Sequence, residues 1–461
     1  MKIRPPRRTL SPATTKGLLR SLSRPWKAHA AAYPGETAQR QPVHTVYGGA
    51  HLFKADTTQK LGALALKGLA ERAPDAKSFA EALGLDAALA GNIHARVVRK
   101  LRTEGVEDFR IDFEDGYGSR TDDEEDAHAV QAAEEVAKGY SHDTLPPFIG
   151  IRIKPLTAEL SIRSLRTLDI FLTKLFAHTR NRIPGGFVVT LPKVVAKAQV
   201  AITAKALAAI EKKHRLKPGS IPMELMVETP QSILGPAGEI ALPALIKAGG
   251  GRVRGAHFGT YDYTAACNIT AAHQSMTHLA CDFARQVMQA TLAGTGVAIS
   301  DGATNVMPVG PHKAPSGGAR RAEQQRENRD AVWRAWRLHY DDVRRSLRQG
   351  FYQGWDLHPG QLVTRYAAVY AFFLDGLAPS SARLRHFIER AAQATLHGEV
   401  FDDAATGQGL LNYFLRALNC GAVGPEEIKA TGLSMEEIAG RSFPAILQGR
   451  RGATGGATGR R

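Results

Sequence analysis

Cysteine is scarce in this chain of 461 residues: Cys267, Cys281 and Cys420 are the whole complement. Three cysteines cannot build a disulfide framework, and their scarcity points to a reducing compartment, so a cytoplasmic location is expected. Long apolar runs are missing too. The nearest, Ala367 to Leu374, falls well short of the roughly 20 residues a spanning helix needs, and no membrane partner is expected. No Gly-x-Ser-x-Gly nucleophile motif occurs. The glycine-rich stretch Gly452 to Gly459 has no strand before it and no helix after it, which excludes a phosphate loop, and Gly116-Tyr117-Gly118 is too short for a dinucleotide fingerprint. Cys267, His273, His278 and Cys281 lie close together, but their spacing matches no standard structural zinc pattern, and core or helix roles are expected for them.

Acidic residues are absent from both ends. Lys2, Arg4, Arg7, Arg8, Lys16, Arg20, Arg24 and Lys27 precede the first acid, Glu36, and Arg450, Arg451, Arg460 and Arg461 close the chain. These twelve cations account for most of the net charge of +16, so the body between them is only slightly basic. Residues 1–40 read as a disordered basic tail and 448–461 as a basic, Gly-rich one. Non-specific nucleic-acid or other polyanion contact through these tails is the sharper reading. An organelle presequence has a similar composition, but Pro5, Pro6, Pro12 and Pro25 argue against a long amphipathic helix.

What is present is a repeated alternation of strand and helix. Strand-like runs occur at His44–Tyr47, Phe109–Phe113, Phe148–Ile153, Gly186–Leu191, Met223–Val227, Val253–Gly259, Gly296–Ser300 and Phe351–Leu357. Helical patterns separate them, among them Leu160–Phe176, Val200–Lys212, Gly238–Lys247 and the charge-rich Ala319–Arg348. Eight repeats of strand and helix predict an α/β fold, a (β/α)8 TIM barrel over residues 41–378, with a C-terminal helical region over 379–447. Functional-looking side chains fall at or just after the strand ends: Glu114, Asp115, Arg152, Lys193, Glu228, Asp262, Asp301 and His358. Barrel enzymes gather their active sites on that face, although doubly wound sheets do so as well.

Two carboxylates from adjacent strand ends, Glu228 and Asp262, suit a hard divalent cation such as Mg²⁺, with Mn²⁺ as the alternative. A 2-oxo acid could chelate that ion, and a neighbouring cation would stabilise an enolate. Arg152 carries the planar fork that reads such oxygens. Each residue also has a plainer reading: Glu228 as a turn cap, Asp262 as a helix N-cap, Arg152 in a structural ion pair, Lys193 as a solvated loop residue. The joint pattern is what argues against coincidence.

The same stretches resemble a known family. Asp112-Phe113-Glu114-Asp115-Gly116 resembles the D-L-E-D strand end of the citrate lyase β-subunit-like family, and Ile151-Arg152-Ile153-Lys154-Pro155 its arginine strand. Leu191-Pro192-Lys193, Met226-Val227-Glu228-Thr229, Phe258-Gly259-Thr260-Tyr261-Asp262 and His358-Pro359-Gly360-Gln361 resemble its L-P-K, I-E-T, F-G-x-x-D and H-P-x-Q motifs, in the family's order. The family includes 2-oxo-acid aldolases, is related to malate synthases, and has a barrel of the phosphoenolpyruvate/pyruvate type. The resemblance implies Mg²⁺ at Glu228 and Asp262, with Gly259 and Thr260 beside the substrate. It implies substrate contact by Arg152 and catalytic parts for Arg152, Asp115, Lys193 and His358. The implied activity is a Mg²⁺-dependent carbon–carbon lyase or aldolase acting through an enolate on a 2-oxo acid or acyl-coenzyme A ester, in a homo-oligomer. A phosphoenolpyruvate phosphotransferase or a malate-synthase-like condensing enzyme, with Asp356 or His358 as base, is the alternative on the same site. A non-enzymatic polyanion binder is the alternative of another class. The family's L-F-V-P-G first strand is replaced here by Val46-Tyr47-Gly48-Gly49-Ala50-His51, so the substrate itself is not carried over.

Overall fold

The computed structural model describes residues 9–35, 40–313, 321–389, 395–397, 400–402 and 404–455. The chain opens with helix α1 (Pro12–Ala32) and strand β1 (His44–Gly49), followed by α2 (Thr57–Arg72), α3 (Ala76–Leu83) and α4 (Ala87–Glu104). Three strand–helix units follow: β2 (Asp108–Asp112) with α5 (Asp122–His142), β3 (Phe148–Arg152) with α6 (Ser161–Thr179), and β4 (Phe187–Leu191) with α7 (Lys197–Lys213). Next come β5 (Met223–Val227) with α8 (Pro230–Ile233) and α9 (Leu242–Ala248), and β6 (Val253–Phe258) with α10 (Thr260–Ala266) and α11 (Leu279–Leu292). Strand β7 (Ala298–Ser300), α12 (Ala322–Arg348), β8 (Gly354–Asp356) and α13 (Pro359–Asp375) complete the repeat. Beyond lie α14 (Leu377–Glu389), β9 (Thr395–His397), β10 (Val400–Asp402), α15 (Ala404–Asn419), α16 (Pro425–Lys429), α17 (Met435–Ala439) and α18 (Phe443–Gly455).

The eight main strands are parallel and ordered β7-β6-β5-β4-β3-β2-β1-β8. The remaining seam is bridged just beyond β7: Asp301 N–H donates to Gln353 O at 2.8 Å and Trp355 N–H to Gly302 O at 3.2 Å. The sheet is therefore an eight-stranded α/β TIM barrel, as the alternation predicts. Outward residues such as Phe109, Ile111, Ile151 and Val189 join Val136, Leu168, Phe171 and Leu175 of the surrounding helices in one buried core. Helix α5 starts with a capping box between Thr121 and Glu124 and four acids in its first turn, which suit the positive end of its dipole. Helix α13 is buried on nearly every side because it packs against α12, α2 and α4.

The barrel lumen departs from the usual filling of branched aliphatics. Arg110 lies at its centre, bonded to Asp108 (2.5 Å), Glu224 (2.7 Å) and Thr190 (3.0 Å), while Thr45 donates to Asp108 and His257 Nε2 lies 3.3 Å from Glu224. This polar layer is the floor beneath the strand ends. Paired charges and hydrogen bonds compensate the desolvation that burial costs.

Two expectations for the ends of the chain are corrected. Residues 12–32 form a helix rather than part of a disordered tail, with Pro12 in its first turn, Pro25 inside it, Ser11 capping Thr14 N–H and no residue buried. Pro12 is tolerated because the first turn needs no donor there, whereas Pro25 lies in the helix interior, where it removes a ladder bond and crowds the preceding turn. The C-terminal region is not helical throughout: β9 and β10 form an antiparallel hairpin where the helical pattern suggested continuation to Thr395. Helix α18 runs past 448 into the expected Gly-rich tail. Residues 1–8, 36–39 and 456–461 of the expected tails lie outside the described residues. Among the described residues no helix is long and apolar enough to cross a membrane.

Candidate active site

The end of β2 builds the first wall. Asp112 accepts from Arg152 Nε at 2.7 Å and from the guanidinium's Nη2 at 2.6 Å, a bidentate pair of the strong kind. Its two oxygens also accept the backbone N–H groups of Glu114 (3.0 Å) and Gly116 (2.7 Å). All this is packed so closely that a Cβ on Gly116 would lie 2.7 Å from Asp112 Oδ2, and one on Gly49 would lie 2.4 Å from Gly116 O. The acid-rich strand end followed by glycine is thus a turn folded around one carboxylate, which aims Arg152. The remaining guanidinium nitrogen of Arg152 faces Glu114 at 3.0 Å and Asp115 at 3.6 Å. Burial works against the charge of Arg152, but Asp112 and Glu114 more than offset it and hold its pKa well above the ordinary range.

The second wall comes from β4, β5 and β6. Lys193 follows β4 in the left-handed conformation, with φ of 48°, which costs a non-glycine residue on the order of 1 kcal/mol. Its backbone N–H donates to Glu228 Oε1 at 2.7 Å. Its ammonium contacts Glu114, lies 3.1 Å from Asp115 and sits 3.6 Å from Asp262. One residue thereby links the ends of β2, β4, β5 and β6. Glu228 is 1% exposed, and burial, with Asp262 and Glu114 nearby, pushes its pKa up to about 8 against the pull of Arg152 and Lys193. Burial likewise raises Glu114 to about 7, and Asp115 adds to the rise. In Asp115 the effect of burial is outweighed by its hydrogen bond with Glu114 and by Arg152 and Lys193, which lower its pKa. The Glu114–Asp115 pair is thus suited to share one proton.

The donor set fits the implied metal. Glu228 and Asp262 bring two carboxylates from consecutive strand ends, hard oxygens of the type Mg²⁺ takes. Gly259 leaves the space they need: a Cβ there would lie 2.5 Å from Glu228 Cβ and 2.6 Å from its Oε2. Among the described residues no group of three or more His, Cys, Asp or Glu side chains has the arrangement of a protein-only metal cage, so these two carboxylates would leave the other coordination positions to water or substrate.

The structure brings Arg152, Lys193, Asp115, Glu228, Asp262 and Gly259 together and gives other expected residues different work. The Thr260 hydroxyl is turned to Met276 Sδ at 3.0 Å. His358 caps α13, its Nδ1 accepting from Gly360 N–H at 3.0 Å, and Gln361 Oε1 closes the capping box on Leu357 and His358 N–H. Asp301 pairs with Arg285 at 3.0 Å and accepts from Ser346 at 2.6 Å. Asp356 is fully buried among His44, His339 and Arg365, which leaves it no freedom to act as a base. Cys281 is buried and Cys267 half-buried, and His278 caps α11, so these three have core or helix roles, while His273 is exposed.

Sequence reasoning missed an aromatic wall. Tyr47 stacks on Trp355 with ring centroids 4.5 Å apart, and the Arg152 guanidinium lies 4.8 Å from the Tyr47 ring and 5.9 Å from that of Trp355. The signal was faint: one aromatic in each of two neighbouring strands, β1 and β8, that lie at opposite ends of the barrel's sequence.

A family model described as a domain of unknown function (DUF6986) matches residues 24–446. The chain belongs to this family. No curated protein sequence matches the chain. Among solved structures, a citrate lyase from Burkholderia xenovorans LB400 superposes with a TM-score of 0.52 at 17% identity, over 87% of this chain and 100% of that one. A malate synthase from Haloferax volcanii gives 0.45 at 12%, over 77% and 92%. The protein CitE from Mycobacterium tuberculosis, in complex with magnesium and acetate, gives 0.37 at 15%, over 72% and 92%. At these identities the likeness to the Burkholderia protein is one of fold, and this DUF6986 member shares its barrel.

Proposed function

We propose that the protein is a Mg²⁺-dependent enzyme that breaks or forms a carbon–carbon bond next to a carbonyl, working through an enolate on a 2-oxo acid or acyl-coenzyme A ester. The observation that carries this reading is the clamp at the strand ends. There Arg152 and Lys193 are held by Asp112, Glu114 and Asp115 beside the buried Glu228 and the more exposed Asp262. Glu228 and Asp262 would hold the ion, which when bound supplies Lewis-acid stabilisation of negative charge on a substrate oxygen. Arg152 cannot swing away, because Asp112 grips it bidentately. It therefore meets developing oxyanion charge without reorganising, the condition under which such a cation contributes most. Lys193 pins Glu228 through its backbone and balances the carboxylates through its ammonium. The Glu114–Asp115 pair provides a carboxyl group whose pKa of about 7 lets it hold or release a proton near neutrality. The aromatic faces of Tyr47 and Trp355 shield one side of the guanidinium from water.

Calorimetric titration with Mg²⁺ and Mn²⁺, with and without oxalate as a planar enolate mimic, tests this. Wild type is expected to bind the metal, and more tightly with oxalate present. Glu228→Ala and Asp262→Ala are expected to lose at least tenfold in metal affinity, and Arg152→Lys to lose the oxalate enhancement while keeping the metal. Undiminished metal binding by both carboxylate variants would sink the proposal. Product assays with pyruvate, oxaloacetate, glyoxylate and phosphoenolpyruvate then separate lyase from condensing and phosphotransfer chemistry.

A further inference from the structure

Helix α1 carries two separated faces. At about 100° per residue, Lys16, Arg20, Arg24 and Lys27 fall in one stripe, spaced by four, four and three. Leu18, Leu19, Leu22 and Trp26 fall together on a face well removed from it. No acid occurs before Glu36, so no carboxylate of this helix interrupts the basic stripe. Among the described residues nothing covers the apolar face: Leu18, Leu19, Leu22 and Trp26 are 56%, 59%, 46% and 61% exposed, and no residue of α1 is buried. Just past the helix the chain meets the barrel, where Gly35 N–H donates to Gly294 O at 2.9 Å. Gly294 lies between α11 and β7, on the rim where strands begin, opposite the strand ends that carry the carboxylate clamp.

We propose that α1 docks the protein onto an anionic lipid surface, lying in the plane of the headgroups with its leucines and Trp26 in the acyl boundary. The charge and the apolar face select this partner together. A polyanion such as nucleic acid would engage the basic stripe and leave four large apolar side chains in water. A second copy of the helix would cover the leucines and gain nothing from the cations. A bilayer rich in acidic phospholipid satisfies both faces at once, the pattern of interfacial helices. At 21 residues the helix is long enough to span, but its basic stripe restricts it to the surface. Attachment at the rim opposite the clamp leaves the site's mouth free for substrate.

The test uses the full chain with phosphatidylcholine vesicles, with and without phosphatidylserine. Expected are co-sedimentation with the serine-containing vesicles that weakens as salt rises, and quenching by brominated acyl chains that disappears in Trp26→Phe. Leu22→Ser combined with Leu18→Ser is expected to weaken vesicle binding at least tenfold, and Arg20→Gln about fivefold. All of these variants should keep the wild-type melting temperature, since the residues are not buried. Any of three results overturns the proposal. One is no preference for anionic vesicles. Another is binding to duplex DNA that survives the leucine substitutions while vesicle binding is absent. The third is a dimer that dissociates in the leucine variant while vesicle binding is absent.

Discussion

Single side chains at the strand ends are constrained by contact distances more than by chemistry. Gly259 shows this best. It has no functional group, yet a methyl there would meet Glu228 at 2.5 Å. Gly259→Ala is expected to displace the Glu228 carboxylate, to cost about 1–3 kcal/mol of stability by overpacking, and to weaken Mg²⁺ binding at least tenfold. Thermal melting and metal titration check the two effects separately. The acids, Arg152 and Lys193 were legible in the sequence because strand ends are where a barrel places chemistry. The need for glycine at 259 was not, because it arises from the approach of β6 to β5.

Among the elements, helix ends explain residues that looked catalytic. The His358 imidazole accepts from Gly360 N–H and opens α13, and burial lowers its pKa. His358→Asn, which can cap in the same way, is expected to keep both stability and turnover, whereas His358→Ala loses about 1 kcal/mol in melting experiments. Loss of turnover in the asparagine variant would instead give the imidazole a chemical part. At the other end of α4, Glu104 binds Arg40 and Lys100. Burial alone would raise its pKa, but these two partners bring it down to about 2. A folded pKa below the unfolded value means stability that is present above the ordinary carboxylate range and lost as pH falls towards 2. Glu104→Gln is therefore expected to destabilise the protein at pH 7 by about 1–2 kcal/mol, after discounting for solvent at the partly exposed Arg40, and to have little effect near pH 2. Denaturation at the two pH values measures the difference.

For the whole molecule, the weakest part of the barrel wall is the seam between β7 and β8, where a few backbone hydrogen bonds replace a full ladder. Arg285 reinforces it from α11, paired with Asp301 at 3.0 Å, with Asp282 at 2.8 Å and with Met276 O at 2.6 Å. Arg285→Met is expected to leave Asp301 buried without its cation and to cost roughly 3–5 kcal/mol, read as a lowered melting temperature and faster amide exchange across β7 and β8.

Order and type of the barrel's strands and helices were determined by the sequence itself. Eight apolar runs with helical patterns between them dictate a parallel sheet, because the connections are too long for hairpins and each strand must bury its outward face under a helix. The acids at the strand ends followed from the same rule. Tertiary structure alone decided which of them share a site. Asp301 and Asp356 end strands as Glu228 does, yet Arg285 closes one within the seam and two histidines and Arg365 enclose the other. Those partners come from other elements, His44 from β1 and the rest from the helices beside the two strands, so the pattern of a strand end does not announce them. Helix α1 makes the converse point. Its prolines argued against a helix, but Pro12 sits in the first turn, where no donor is needed, and the helix runs on through Pro25, leaving the segregation of leucines from cations to set its character.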